Sequence, residues 1–146
     1  MAGGFADLKN DAGLPLVEGV VEQTKDNTFF LRLPGTNYQP AFVAAGAVPS
    51  VGAKVAGVVR VKARRMDLPV AGGRYTEPVT GRPRRIQGRV IGVDAAKNEV
   101  HVRAGFAVVA TPLPPQKAAD FHIGQTVSFD AEPGATFEVS TQAHHH

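Results

Sequence analysis

Apolar side chains recur at every second position through most of this chain, in runs rich in Val, Ile and Phe. Alternation of that kind predicts strands with one buried face rather than helices. The series opens near Leu14. A first strand at residues 17–21 and a second at 28–32 straddle the turn-forming Lys25, Asp26 and Asn27, which predicts a hairpin. A third strand is expected at residues 40–44 and a fourth at 55–63. The pattern then returns at 86–90, 98–103, 106–111 and 126–130, with a fifth strand at 137–139. Helix-favouring residues gather only at 115–121, around Gln116, Lys117, Ala118 and Ala119, with a shorter counterpart at 44–48.

The two series match in order. Val17-Glu18-Gly19-Val20-Val21 corresponds to Ile86-Gln87-Gly88-Arg89-Val90, and Asn27-Thr28-Phe29-Phe30-Leu31-Arg32 to Asn98-Glu99-Val100-His101-Val102-Arg103. Val51-Gly52-Ala53-Lys54-Val55 corresponds to Ile123-Gly124-Gln125-Thr126-Val127. Offsets of 69, 71 and 72 residues preserve the order with small insertions, as in a drifted internal duplication. The expected organisation is a loosely held arm at 1–13, a β module at 14–69, an irregular, exposed linker rich in Gly, Pro and Arg at 70–84, a second module at 85–141 and a tail at 142–146. Modules of about 55 residues lie near the lower limit for independent folding, so they are expected to pack on each other.

An apolar fraction of 43% suffices for a core, and the absence of cysteine removes disulfides and thiolate metal sites. The first residues lack the basic segment and apolar run of a secretory signal, and no stretch reaches the roughly 20 apolar residues of a spanning helix. The expected setting is cytoplasmic, with no membrane partner. A net charge of +3 says little by itself, but Arg60, Lys62, Arg64, Arg65, Arg74, Arg82, Arg84, Arg85 and Arg89 face only Asp67 and Glu77 within their stretch. The predicted positive field is therefore local.

No catalytic constellation is legible. Ser50, Ser128 and Ser140 lie in no nucleophile-elbow pattern, and there is no phosphate loop. His101 and His122 lack a second ligand at metal-like spacing. The terminal His144, His145 and His146 resemble a purification-tag remnant and are set aside. The expectation is a protein without enzymatic activity, cofactor or metal, leaving surface patterning to carry function.

Alternation puts Val55, Gly57, Val59 and Val61 on one face of the fourth strand and Val58, Arg60, Lys62 and Arg64 on the other. Three cations then project along roughly 13 Å, near the phosphate spacing of an extended single strand. On the second strand Phe29, Leu31 and Leu33 point inward, and Phe30 and Arg32 outward; on its counterpart Val100 and Val102 point inward, and His101 and Arg103 outward. A π ring followed by Arg can stack a base and neutralise a phosphate. The candidate nucleic-acid-binding residues are Phe30, Arg32, Arg60, Lys62, Arg64, Arg65, Arg82, Arg84, Arg85, Arg89, His101 and Arg103.

Gly19, Phe29 to Leu33, Val51-Gly52 and Val55, repeated as Gly88, Val100 to Arg103, Ile123-Gly124 and Val127, resemble the landmarks of S1-like OB domains. The resemblance implies an all-β fold of two five-stranded Greek-key barrels in tandem and binding of single-stranded RNA or DNA. The chain departs from that family in its sparse aromatics, with no Trp and only Tyr38 and Tyr75. The tandem arrangement is also similar to TOBE-type paired barrels, which bind small oxyanions, although their Ser-Ala-Arg-Asn signature is missing. A third expectation is a structural or adaptor protein that joins a protein partner through exposed strand edges.

Overall fold

In the computed structural model, residues 8–69 and 72–140 are described; the first seven residues of the expected arm, residues 70 and 71 of the linker and the tail at 142–146 lie outside them. Alternation yields strands throughout. β1 (Val17–Lys25), β2 (Thr28–Arg32), β3 (Gln39–Ala44) and β4 (Lys54–Asp67) form the first series. β7 (Arg85–Asp94), β8 (Glu99–Arg103), β9 (Ala107–Pro112), β10 (Thr126–Ala131) and β11 (Thr136–Val139) form the second. The expected helix at 115–121 is reduced to one 3-10 turn, Ala118–Asp120.

Strand pairing closes two rings of five. In ring 1, β1 pairs with β2, β2 with β3, β3 with β11, β11 with β4, and β4 with β1. In ring 2, β7 pairs with β8, β8 with β9, β9 with β4, β4 with β10, and β10 with β7. The fifth strand at 137–139 forms as expected, but it completes the ring of the first half. The 14-residue β4 serves both rings, its start paired with β1 and its end with β9 and β10. Each half thus donates its last strand to the other.

Registers recur at the offsets seen in the sequence. Val21↔Leu31 corresponds to Val90↔Val102, and Gln23↔Phe30 to Gly92↔His101, with the same one-residue bulge between them. Val17↔Gly57 corresponds to Ile86↔Phe129. Gly19 and Gly88 share a further constraint, close approach of the second strand. A Cβ on Gly19 would lie 2.8 Å from the Arg32 carbonyl oxygen, and one on Gly88 would collide with that of Arg103.

One continuous core fills both rings. Phe29, Leu31, Val100 and Val102 are buried as the alternation requires, each contributing about 1.5–3 kcal/mol by leaving water. Phe137 meets Phe29 edge-on at 5.6 Å and stacks on Phe42 at 5.7 Å, while Phe42 meets Phe106 at 6.3 Å across the two halves.

The linker is more ordered than its composition suggested. β5 (Tyr75–Glu77) pairs with β7, and β6 (Thr80–Gly81) pairs with β3, so this segment straps the rings together. Thr76 is buried; its Oγ1 donates to the Ala104 carbonyl at 2.7 Å and its N–H to the Tyr38 hydroxyl at 3.2 Å. Residues 8–13 of the expected arm are also held in place. Lys9 bridges to Pro15, and the Asn10 side chain accepts from the Ala12 and Leu14 amides, closing a small hairpin.

Candidate nucleic-acid interface

The outward stripe on β4 forms, but it is neither bare nor continuous. Val61 and Ala63 are buried, while Lys62 and Arg64 are exposed and Arg60 is half-exposed. Val58, expected among the outward residues, is only 2% exposed because Leu14, Leu16 and Val109 pack on it. The hairpin at residues 8–16 therefore lies over this part of the surface. At Arg65 the backbone turns left-handed, with φ 51, next to a register shift against β10; Arg64 and Arg65 both face solvent and Met66 returns to the core.

Carboxylates offset much of the positive charge. Arg60 Nε stands 3.7 Å from Glu99 and its Nη1 3.8 Å from Glu138. Arg64 pairs with Glu132, which holds its guanidinium more firmly in the charged form through a hydrogen bond and direct attraction. Arg32 Nε donates to Glu22 at 2.8 Å. Arg85 reaches Asp130 at 3.1 Å and the Ser128 hydroxyl at 2.7 Å. Exposed pairs add at most about 1 kcal/mol each to stability, but they flatten the local field. Among the described residues, no carboxylate pairs with Lys62, Arg65, Arg82, Arg84 or Arg89. Arg89 faces Arg103 directly across the β7–β8 ladder.

The two π positions differ in their surroundings. Phe30 is half-buried on ring 1, between Gln23 of β1 and Ala41 of β3 in the ladder. Thr28, Arg32, Ala41 and Val43 beside it are half-buried or exposed. His101 is the corresponding residue of ring 2, in a row with Val109 and Arg60. Its ring covers Gly92, where a Cβ would lie 2.6 Å from Nδ1. Burial lowers its pKa below 6.5, reinforced by Lys9 and Arg60 and opposed by Glu99 and Asp94. Among the described residues, Nε2 of His101 and Oε1 of the buried Glu99 are both enclosed without a hydrogen-bond partner. The β8–β9 face is thus partly closed, and the β2–β3 face is not.

The twelve candidates are spread over both rings and the linker, and one cross-strand row, His101–Val109–Arg60–Thr136–Val43, runs from ring 2 to the third strand of ring 1. Phe30 and Arg32 belong to ring 1, His101 and Arg103 to ring 2, and Arg84 and Arg85 lie beside the end of β10. Sequence reasoning missed Glu99, Asp130, Glu132 and Glu138 as partners, since the pairing that places them is long-range, and it missed Glu22 although the expected β1–β2 hairpin brings it beside Arg32. It also missed Leu14 and Leu16 as a cover, although their alternation with Pro15 leads straight into β1 and was a usable signal.

Among the described residues no three His, Asp or Glu side chains gather as a metal site, and no helix is long and apolar enough to cross a membrane. In comparisons with known proteins, no family model, no curated protein and no solved structure matches the chain.

Proposed function

We propose that the chain is a non-catalytic binding module made of two OB-type Greek-key rings derived from one duplicated unit, and that ring 1 takes single-stranded nucleic acid weakly, with little sequence preference. The recurring registers support duplication. The order first-second-third-fifth-fourth around each ring, with third and fifth strands parallel, supports the OB-type reading. In such barrels the face of the second and third strands takes oligonucleotides. One observation carries the assignment: Phe30, with Arg32 two residues on, stands on that face in ring 1 without the hairpin that covers its counterpart in ring 2. One stacked base contributes about 1–3 kcal/mol, and the arginine beside it, Arg32, is already paired with Glu22, so affinity is weak.

Anisotropy titration of a labelled single strand of roughly ten nucleotides at low salt tests this. Saturable binding that drops at least about fivefold in Phe30→Ala is expected from the loss of one stack. No binding at high micromolar protein would reject it. The second reading, an adaptor for protein partners, is favoured by the cover on ring 2, where a polypeptide segment occupies the equivalent face.

A further inference from the structure

Exchange of the last strands joins the outer surfaces of the rings as well as closing them. In each ring the outward residues of the second, third and fifth strands share one face, because residues directly opposite each other in a ladder point the same way. In ring 1 these are Phe30, then Ala41 and Val43, then Thr136, with Phe30↔Ala41 and Val43↔Thr136 in register. The same registers in ring 2 give His101, then Val109 and Thr111, then Lys62. The fifth strand of ring 2 is the end of β4, and Thr136 of β11 lies directly opposite Arg60 on that strand. The two faces therefore meet edge to edge, in the order β2-β3-β11-β4-β9-β8, without a break in pairing.

Exposure divides this joined face unevenly. Val109 is 1% exposed beneath Leu14 and Leu16, which closes the end towards His101. On the rest of it Phe30, Ala41, Val43, Thr136 and Thr111 are half-buried and Lys62 is exposed. Ala41, Val43 and Thr136 are short, leaving a low path from the Phe30 ring to the Lys62 side chain. Neighbouring strands lie about 4.8 Å apart, so the three steps from β2 to β4 cover about 14 Å. Arg60 beside the path is held between Glu99 and Glu138, at 3.7 and 3.8 Å. Among the described residues no carboxylate pairs with Lys62.

We propose that the single strand taken by ring 1 continues across the joined face and brings a backbone phosphate to Lys62. The site is then a track running across β2, β3, β11 and β4, created by the strand exchange, and not a stripe along β4. Glu138 borders the track and opposes the phosphates. The track rests on the ring 1 reading, since Phe30 supplies its first contact.

The full chain and its variants are titrated against a fluorescein-labelled decathymidylate at several salt concentrations. Lys62→Gln should weaken binding about threefold at low salt and flatten the log–log salt slope by about 0.7, the share of one phosphate on a single strand. Phe30→Ala should weaken binding at least about fivefold with the slope unchanged. Glu138→Gln should tighten binding about twofold, a gain that a damaged fold would not produce. Arg89, on β7 and off the track, also lacks a carboxylate partner among the described residues, and Arg89→Gln should leave affinity and slope as they were. An unchanged slope in Lys62→Gln, with Phe30→Ala still weakening binding, would overturn the track and leave the ring 1 reading standing. So would an equal flattening in Arg89→Gln, which assigns the salt dependence to the surface at large, or an affinity in Glu138→Gln no higher than that of the parent chain. No binding by any of these proteins at high micromolar concentration would overturn the track together with the ring 1 reading.

Discussion

Truncating Phe137 to alanine probes the exchange of strands where it is most deeply buried. Phe137 is 1% exposed and belongs, in sequence, to the second half. Its ring nevertheless packs edge-on against Phe29 and stacks on Phe42, at 5.6 and 5.7 Å, both in the first half. Removing a core Phe costs about 3–5 kcal/mol, which includes the lost transfer free energy and the cavity left behind. The two aromatic pairs, each adding about 0.5–1.5 kcal/mol beyond area, put the expected loss near the middle of that range, about 4 kcal/mol. Typical domains hold only about 5–15 kcal/mol in total. Because the core is continuous, the loss should weaken the whole chain in one transition. Urea unfolding followed by far-UV circular dichroism reads it, there being no Trp to report by fluorescence. With a slope of about 2 kcal/mol per molar urea, the midpoint should fall by about 2 M. Val139→Ala, on the exposed end of the same strand, is the control and should cost under about 1 kcal/mol. A loss below about 1 kcal/mol for Phe137→Ala, or two separate transitions of which only one moves, would refute the reasoning.

Adding a methyl group at Gly88 forces β8 away from β7, so Gly88→Ala should cost more than about 2 kcal/mol, with Gly19→Ala behaving alike in ring 1; a thermal melt unchanged in either variant would contradict the shared close approach. His101 has a folded pKa below 6.5, so the unfolded chain takes up its proton first, and stability should fall as pH drops from about 7 through 6.5 towards the folded value. His101→Gln should remove that part of the pH dependence, read from urea midpoints at several pH values, and an identical profile in both proteins would count against it. Glu132→Gln frees Arg64 from an exposed pair, and the urea unfolding midpoint should scarcely move. A larger loss would mean that the pair contributes more to the fold than its exposure indicates.

Strand alternation made Phe29, Leu31, Val100 and Val102 legible as core, because burial of every second residue is a local property. The Gly19 and Gly88 correspondence was legible for the same reason, since each half repeats its own local pattern. The partner of residues 137–139 was not, because a parallel pairing with β3 depends on how the chain crosses between halves, and periodicity does not encode that. The arginine stripe was legible in its direction but not in its surroundings. Alternation placed Arg60 and Arg64 outward correctly, but a charge reads as available only until its surroundings are known, and Glu99, Glu132 and Glu138 arrive through long-range pairing. The linker is largely exposed as expected, but its glycines and prolines forecast turns without excluding a three-residue strand paired with β7 and held by Tyr38 and Ala104.

The most direct measurement is photo-crosslinking of a short oligothymidylate to the full chain, followed by tryptic mass mapping. Cleavage after Lys25 and Arg32 releases residues 26–32, with Phe30, and cleavage after Lys97 and Arg103 releases residues 98–103, with His101. The open face of ring 1 predicts adducts on the first peptide, lost in Phe30→Ala, and few or none on the second. Adducts centred on residues 98–103, or an even distribution over the basic surface, would contradict the assignment.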